Sequence, residues 1–584
     1  MMSSIVVTDS ILAIDIGSIT TRAALFDVVG SRYRFIATGT APTTAAPPFS
    51  DVREGVNRAI YRLQEITGRT LLGSDASLLI PVQPDGSGVD KLVVTLSAGP
   101  NIRVVAVGLL ENVSLDSARN LAKTTYTTVV ENISLNDRRK QDARIDAILR
   151  ARPDLIIVAG GIDGGAEHSV SNLLEAVGLA CYLMPRSQRP QVLYAGNSSV
   201  QQAVENAIAS ITDLHIAPNI RPSITSEQLT PAQVQLSRIF KNIRSQQMYG
   251  VMDFDQWAEG RMLPSATAFG RIIRFLSHIY DPKKGVLGVD IGASSVSVAA
   301  AIKGKLALRV FPQLGLGGQI QQVLEYMPLE QITRWLPEDF VPDDVRSYLH
   351  NKAAYPASLP ATREELFIEQ AVARQILRLA VQKTMSSLPF EMKSAGHNIV
   401  PWSEPILASG SVLSQAPTPG QSLLVLLDGL QPTGVTTIVL DQNNLLASLG
   451  AAAEANPLLV VQILESHAFL NLGTVIAPVG VARARVPVLR LRATFEDGTE
   501  SKHEIKFGSI EVIPLPQGKE AQLHLQPLHR FDVGMGGPGR GGRVKVVGGA
   551  LGIVIDARGR PIQIPSDPER RREAMQRWHW TLGN

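Results

Sequence analysis

The sequence predicts a multidomain α/β protein in which one β-strand unit occurs twice. Two stretches carry this repeat, ILAIDIG at 11–17 and GVLGVDIG at 285–292, each an apolar strand that ends in Asp-Ile-Gly. From Lys91 onward, strand and helix patterns alternate, which is typical of a parallel, doubly wound sheet inserted between the two copies. After Thr474, short segments of alternating hydrophobicity predict a C-terminal β-rich domain.

Length and composition exclude several classes of protein. A chain of 584 residues is too long for one hydrophobic core, so we expect about three or four domains. The net charge of +3 is small for this length and gives no reason to expect nucleic-acid binding. The single cysteine, Cys181, excludes an internal disulfide framework and indicates a reducing compartment. No signal peptide and no apolar run of about 18 residues is found, so we expect a cytoplasmic protein without a transmembrane segment.

These patterns divide the chain into four predicted parts. They are the first repeat unit at 1–90, the inserted α/β unit with connecting helices at 91–275, the second repeat unit at 276–465, and the β-rich domain with a terminal helix at 466–584.

The first Asp-Ile-Gly turn has the composition of a phosphate-binding loop. A glycine at position 17 allows a tight turn whose backbone N–H groups can approach phosphate oxygens closely. The hydroxyls of Ser18, Thr20 and Thr21 would add further donors. Asp15 would hold Mg²⁺ through water, because Mg²⁺ dehydrates reluctantly. For one turn alone, a buried aspartate that only caps a hairpin is an equally good interpretation.

The second copy of the turn favours a binding site. Asp290, Gly292 and Ser294 repeat the pattern, and two such turns can contact one polyphosphate. The segment LASGSV at 407–412 adds a small-residue turn, in which Gly410 and Ser411 would contact the nucleoside.

Four segments together resemble the actin-like (ASKHA) ATPase superfamily, with its duplicated ribonuclease H-like domains. They are DIGSITT at 15–21, DIGASSV at 290–296, LASGSV at 407–412 and LGAAAEANP at 449–457, in the order of the two phosphate loops, the adenosine loop and a connecting helix. A closer resemblance is to the MutL or GlmL family, whose members are linked to coenzyme-B12-dependent glutamate mutase. It is carried by SAGPNIRVVAVGL at 97–109, ARPDLIIVAGGIDGGAEH at 151–168 and VLYAGNSS at 192–199, and it covers about 10–460.

This resemblance implies an ATP–Mg²⁺-binding accessory protein that acts on a protein partner, as a chaperone or reactivating factor for a B12-dependent mutase. Asp15 and Asp290 would be the catalytic carboxylates and would both hold Mg²⁺ through water. Two other interpretations stay open at this point. One is a non-catalytic actin-like scaffold that self-associates, as in pilus assembly or cell division, and the other is a small-molecule kinase, for which no general base can be identified.

Three positions depart from the superfamily pattern. Arg22 stands where a lysine is common, and its guanidinium can still hold phosphate. Ala293 replaces a second glycine, and Ser297 stands where an aspartate is frequent. The first loop is therefore expected to be competent and the second weakened, which predicts slow ATP hydrolysis or nucleotide binding without hydrolysis.

A second ligand loop is predicted in the inserted unit. Gly161, Asp163, Gly164 and Gly165 follow an apolar strand, and the carboxyl end of a parallel strand is a usual position for a ligand. A tight loop that only needs glycine is the alternative. The terminal basic segment carries Trp578 and Trp580, which we expect to pack on the protein's own β-rich domain rather than on a membrane or a partner.

Overall fold

The computed structural model describes residues 9–389, 391, 392, 396 and 399–583, so the outermost residues of the first and last predicted parts lie outside the description. The strands are β1 Ile11–Ile16, β2 Thr20–Val29, β3 Arg32–Pro42, β4 Lys91–Leu96, β5 Ile102–Gly108, β6 Thr127–Ser134, β7 Leu155–Ala159, β8 Gln191–Tyr194, β9 Leu214–Ile216, β10 Leu263–Pro264, β11 Gly285–Ile291, β12 Val296–Ile302, β13 Lys305–Phe311, β14 Ser403–Ser409, β15 Gly434–Leu440, β16 Leu470–Ala477, β17 Pro487–Phe495, β18 Glu500–Lys506, β19 Ile510–Ile513, β20 Glu520–Pro527, β21 Gly542–Val547 and β22 Ile553–Asp556. The α-helices are α1 Arg53–Thr67, α2 Asp116–Ala122, α3 Gln141–Ala151, α4 Glu167–Leu183, α5 Gln201–Ile208, α6 Thr230–Gln247, α7 Val251–Trp257, α8 Ser265–Ile279, α9 Val323–Tyr326, α10 Glu330–Thr333, α11 Pro342–Ala354, α12 Arg363–Thr384, α13 Ser411–Ser414, α14 Pro419–Leu430, α15 Leu446–Ala455, α16 Pro457–Leu464 and α17 Pro568–Thr581.

The predicted repeat is present as two sheets with the same strand order. The first sheet runs β3-β2-β1-β4-β10, and the second begins β13-β12-β11-β14-β15. In the second sheet, β11, β12 and β13 are successive antiparallel neighbours, whereas β14 lies parallel to β11 and β15 parallel to β14. The α/β class and the duplicated strand unit are therefore confirmed.

The described chain forms two compact units. One, which we call the N-terminal unit, comprises 12–23 and 39–267; the other, the C-terminal unit, comprises 9–11, 24–38 and 268–583. The division is discontinuous in sequence, and the four predicted domain boundaries stay a prediction.

The inserted α/β unit is a parallel sheet in the order β6-β5-β7-β8-β9. Each pair of neighbouring strands is parallel, and β7 is buried along its whole length. Helices α3, α4 and α5 contribute buried apolar side chains to its core, including Cys181 on α4. Burial raises the pKa of the Cys181 thiol to about 12, so the thiol is an inert part of this core.

The C-terminal portion is β-rich, as predicted, and part of it continues the second sheet. Strand β16 pairs antiparallel with β15, β22 lies parallel to β16, and β19 closes the edge beside β22. The remaining strands form a separate four-stranded sheet in the order β18-β17-β20-β21. Along β17, Leu489 and Leu491 are buried while Arg490 and Arg492 are exposed, which is the alternation of a half-buried strand.

The terminal helix α17 packs into the core of the C-terminal unit through Ala574, Met575 and Trp578. The indole N–H of Trp578 donates to the Gly508 carbonyl oxygen at 3.2 Å, so packing of this tryptophan is confirmed. The expectation is wrong for Trp580, which is 83% exposed because it lies on the opposite face of the helix. In the described part of the chain, no helix combines the length and the apolarity needed to cross a membrane.

A buried ion-pair network holds the segment after β22 against α12 and α14. Asp428 accepts from Arg374 Nε at 2.7 Å and from Arg558 Nη1 at 2.7 Å. Asp556 accepts from Arg558 Nε at 2.8 Å and from Arg560 Nη2 at 3.0 Å. Because breaking a buried ion pair leaves an uncompensated charge, the network makes this segment a structural part of the C-terminal unit.

Candidate functional site

The first Asp-Ile-Gly turn, in the N-terminal unit, is as tight as the sequence predicts. The Gly17 N–H donates to the Thr20 carbonyl oxygen at 3.1 Å, and a Cβ at position 17 would lie 2.7 Å from that oxygen. A real Cβ does not approach an oxygen so closely, so the turn requires glycine. Ser18 and Thr20 are half-buried, and their hydroxyls make no hydrogen bond within the described ranges. These two hydroxyls can therefore bind a ligand.

Asp15 is oriented by one hydroxyl from β4 and one from the start of α8. Its Oδ1 accepts from Thr95 Oγ1 at 2.7 Å and from Ser265 Oγ at 2.9 Å. Its Oδ2 lies 3.7 Å from Arg22 Nη1. The end of β1, strands β2 and β4, and the start of α8 thus bring a carboxylate, a guanidinium and two hydroxyls together.

Hydrogen bonds from the segments that follow β3 and β4 support this first loop. The Ile16 carbonyl oxygen accepts from the Ser97 N–H at 2.9 Å, so the segment after β4 supports the end of β1. Thr43 Oγ1 donates to the Gly17 carbonyl oxygen at 2.8 Å. Thr21 is fully buried, and its hydroxyl lies 2.8 Å from Thr43 Oγ1. Thr21 is therefore placed to hold the loop in shape, whereas Ser18 and Thr20 lie nearer the surface.

The second turn, in the C-terminal unit, closes in the same way. The Gly292 N–H donates to the Ser295 carbonyl oxygen at 2.9 Å, and a Cβ on Gly292 would lie 3.0 Å from that oxygen. Support comes from the segment after β13, where Leu316 N–H donates to Gly292 O at 3.2 Å and Gly317 N–H donates to Ala293 O at 2.7 Å. In each unit, the residues that follow the third strand of the repeat brace its loop.

Asp290 and Ser294 lie at the half-buried end of β11 and in its loop. In the register of the sheet, Asp290 lies opposite Ser297 of the antiparallel strand β12 and opposite Ser409 of the parallel strand β14. Ser297 is 1% exposed, and its hydroxyl has no hydrogen-bond partner among the residues described. The serine at this position therefore lies inside the sheet, beside the carboxylate of the loop.

The structure brings the predicted adenosine loop against the second Asp-Ile-Gly turn. Gly410 has φ +116°, and a Cβ there would lie 2.2 Å from the Ile291 carbonyl oxygen, so only glycine fits. The Gly410 N–H donates to Asn444 Oδ1 at 3.1 Å. Ser411 begins the short helix α13. The ends of β11, β14 and β15 thus form one polar edge of the second sheet.

Four residues of these edges were missed by the sequence reasoning. They are Thr95, Ser265, Asp441 and Asn444. Each follows or ends a strand beside a predicted loop, and the strand order would have been needed to find them. Asp441 is fully buried, and its Oδ2 accepts from the Leu446 N–H at 2.7 Å, so it fixes the start of α15.

The donor set at Asp15 fits Mg²⁺ only when phosphate oxygens and water complete its coordination. Among the described residues, no group of three or more His, Cys, Asp or Glu side chains could hold a metal ion. Asp15 has one oxygen engaged by two hydroxyls, which orients the other for contact with a metal-bound water. Mg²⁺ is commonly held in this way, by one or two carboxylates plus substrate phosphates.

The predicted second ligand loop is locked internally. Asp163 Oδ1 accepts from Asn219 Nδ2 at 3.0 Å and from the Ser198 N–H at 3.1 Å, and the hydrogen bond from Asn219 lowers the pKa of Asp163. Asn197 Oδ1 accepts from the Gly164 N–H at 3.1 Å, and its Nδ2 donates to Gly165 O at 2.6 Å. Gly161 has φ +74°. These contacts account for the glycines as loop geometry, and a ligand at this loop stays a prediction.

Two strand-end loops of one geometry, on sheets of one strand order, define a duplicated α/β protein. The chain belongs to the MutL protein family, whose model matches residues 11–468. The resemblance seen in the sequence is thereby confirmed over most of the chain. No curated protein sequence matches it significantly.

Several solved structures are distantly similar to the chain. A glycerol dehydratase reactivase is 10% identical to the chain, with a TM-score of 0.29, and the match covers 76% of this chain and 100% of the reactivase. A diol dehydratase-reactivating factor in nucleotide-free form is 11% identical, with a TM-score of 0.27, and the match covers 72% of this chain and 94% of that factor. EutJ, an ethanolamine utilization protein from Carboxydothermus hydrogenoformans, is 9% identical, with a TM-score of 0.27, and the match covers 76% of this chain and 89% of EutJ.

Proposed function

We propose that the protein binds ATP–Mg²⁺ and uses it to act on a protein partner. The observation that supports ATP binding most directly is the pair of matching turns: Gly17 and Gly292 each close a tight loop at the end of an apolar strand, beside an aspartate. Such loops expose backbone N–H groups and suit phosphate oxygens.

Each residue of the first loop has a distinct proposed role. The hydroxyls of Ser18 and Thr20 contact the terminal phosphates, together with the Gly17 backbone. Arg22 neutralises phosphate charge, and a guanidinium can do so with two parallel hydrogen bonds. Asp15 holds a water of the hydrated Mg²⁺, which itself shields the charge of the phosphates when bound. Thr95 and Ser265 keep the Asp15 carboxylate in the required orientation.

In the C-terminal unit, the second loop and the adenosine loop form the other proposed contacts. The Gly292 turn and Ser294 contact phosphate, and Asp290 plays the part that Asp15 plays in the first loop. Gly410 and Ser411 lie against the nucleoside, where the absence of a side chain at Gly410 lets the backbone approach closely.

Hydrolysis is proposed to be slow. Thr95 and Ser265, the two side chains that donate to Asp15 Oδ1, are neutral hydroxyls and add no second general base beside that carboxylate. Ser297 stands buried where the superfamily pattern often has an aspartate, so that carboxylate is absent. A slow ATPase suits a protein that converts nucleotide state into a conformational change of its partner.

Membership of the MutL family supports a mutase as the partner and reactivation of that mutase as the role. The test is release of an inactive cobalamin from a B12-dependent mutase mixed with this protein. We expect release to require ATP and Mg²⁺ and to fail with Asp15→Ala. Release without ATP, or no association with the mutase in any nucleotide state, would contradict reactivation. ATP-dependent light scattering by the protein alone would instead favour the scaffold function.

A further inference from the structure

The C-terminal unit contains three half-buried arginines without a counter-charge. Arg334 follows α10, Arg378 lies on α12, and Arg571 lies in the first turn of α17. Within the described residues, none of the three side chains makes an ion pair or a hydrogen bond. Most arginines that are not fully exposed elsewhere in the chain are paired, so this group is unusual.

Contacts between the elements place Arg334 and Arg378 side by side. Gln375 on α12 donates to the carbonyl oxygen of Gln331 on α10. Arg378 lies three residues after Gln375 on α12, and Arg334, the αR residue that caps α10, lies three residues after Gln331, so both lie on the same side as this contact. Burial, Arg334 and buried Arg560 all lower the pKa of Arg378, as expected of neighbouring like charges.

Arg571 reaches the same place from the terminal helix. The adjacent Arg572 forms an ion pair with Asp339, which fixes the first turn of α17 beside the segment that follows Arg334. Burial and Arg571 lower the pKa of Arg334. Arg572 is thus neutralised by its aspartate, whereas Arg571 and Arg334 face each other without one.

We define the arginine cluster as Arg334, Arg378, Arg560 and Arg571. The buried ion-pair network beneath it, to which Arg560 belongs, is also positively charged. The buried ion-pair network contains three arginines and two aspartates, which leaves one positive charge in excess. Arg374, one helical turn before Arg378, is 2% exposed, and its Nη2 has no hydrogen-bond partner in the described chain. A buried donor without an acceptor costs free energy that a bound oxyanion would recover.

We propose that the arginine cluster is a binding site for a phosphate-type oxyanion, either free or as the terminal group of a larger ligand. Guanidinium groups from three separate elements converge there, and the planar fork of a guanidinium matches two phosphate oxygens at once. The cluster shares no residue with the two Asp-Ile-Gly loops, and the proposal does not depend on the proposed function. Two or more negative charges on the ligand are required to balance the cluster, so diphosphate binds more tightly than monophosphate.

Calorimetric titration with inorganic diphosphate and with inorganic phosphate tests the proposal. Arg378→Met keeps the aliphatic stem and removes the charge, and it is expected to weaken diphosphate binding by about tenfold or more, the loss of one charge-assisted hydrogen bond. Arg490→Met, at an exposed position of the half-buried strand β17, is the matched control and should leave binding unchanged. Asp15→Ala separates this site from the first loop. Binding kept in Asp15→Ala and lost in Arg378→Met supports the cluster, and the reverse pattern overturns it.

Thermal unfolding supplies a second measurement. The melting temperature should not fall in Arg378→Met if Arg378 belongs to an anion site, whereas it should fall if Arg378 only supports the fold. In low-salt buffer without phosphate, Arg378→Met should melt no lower than the wild type, because it relieves repulsion within the cluster. Millimolar diphosphate should then raise the melting temperature of the wild type and not that of the variant. Equal destabilisation of the variant in both buffers, with diphosphate binding unchanged, would show that Arg378 only supports the fold.

Discussion

His579 on α17 should make the protein sensitive to mild acid. The imidazole is 6% exposed, packs edge-on against Phe367 with ring centroids 5.4 Å apart, and leaves Nδ1 without a hydrogen-bond partner in the described chain. Burial, followed by the positive charges of Arg374, Arg363 and Arg558, lowers its pKa from 6.5 to about 3. The folded protein therefore keeps this histidine neutral at pH values where the unfolded chain protonates it.

The sign and size of the effect follow from proton linkage. Between the two pKa values the unfolded state holds one more proton, so stability falls as pH falls from about 6.5 toward 3. Integrated from pH 7 to pH 5, the loss from this one group is about 2 kcal/mol. His579→Gln cannot be protonated and should lose that part of the pH dependence.

Urea unfolding at pH 7 and at pH 5, followed by tryptophan fluorescence, measures the difference. The control is His467→Gln, in which an exposed histidine of the same unit is replaced. We expect the wild type and the control to lose about 2 kcal/mol more than His579→Gln between the two pH values. An equal loss in all three proteins would refute the argument from burial.

Three further predictions concern the core and the loops. Asp428→Ala leaves two buried arginines without their shared partner and should cost about 3–5 kcal/mol in urea unfolding, whereas exposed Asp497→Ala should cost far less. Gly410→Ala would place a Cβ 2.2 Å from a backbone oxygen and should reduce both stability and ATP affinity. Its control, Gly498→Ala, has φ +80° with no atom within 4 Å, and it should show only backbone strain of about 1–3 kcal/mol with ATP affinity unchanged. Ser265→Ala removes a hydroxyl from Asp15 and should weaken Mg²⁺-dependent ATP binding without lowering the melting temperature measurably. A normal affinity in Ser265→Ala would show that the hydroxyl does not orient the carboxylate.

The two Asp-Ile-Gly turns could be predicted from sequence because their signal is local. A strand, an acidic residue, a glycine and small polar residues occupy fewer than ten consecutive positions, and the turn closes within four of them. Thr95 and Ser265 could not be found in this way. They lie 80 and 250 positions from Asp15, and only the order of strands in the first sheet brings them to it.

The C-terminal portion shows a similar limit. The alternation along β17 predicts a half-buried strand, but nothing in β16 or β22 shows that their partners lie in the second sheet. Strand pairing at long sequence separation depends on tertiary packing, as does the choice of which tryptophan on α17 faces inward. The buried ion pairs of Asp556 likewise cannot be predicted from the pattern of hydrophobic residues.

Calorimetric titration of ATP with and without Mg²⁺, on the wild type and on Asp15→Ala, tests the central proposal most directly. The proposal predicts Mg²⁺-dependent binding of one ATP to the wild type and affinity weakened by about tenfold or more in Asp15→Ala, the loss of a charge-assisted contact. Equal binding by the two proteins would place the nucleotide away from the first loop. No binding to the wild type would contradict the proposed function and would leave the actin-like fold as a scaffold.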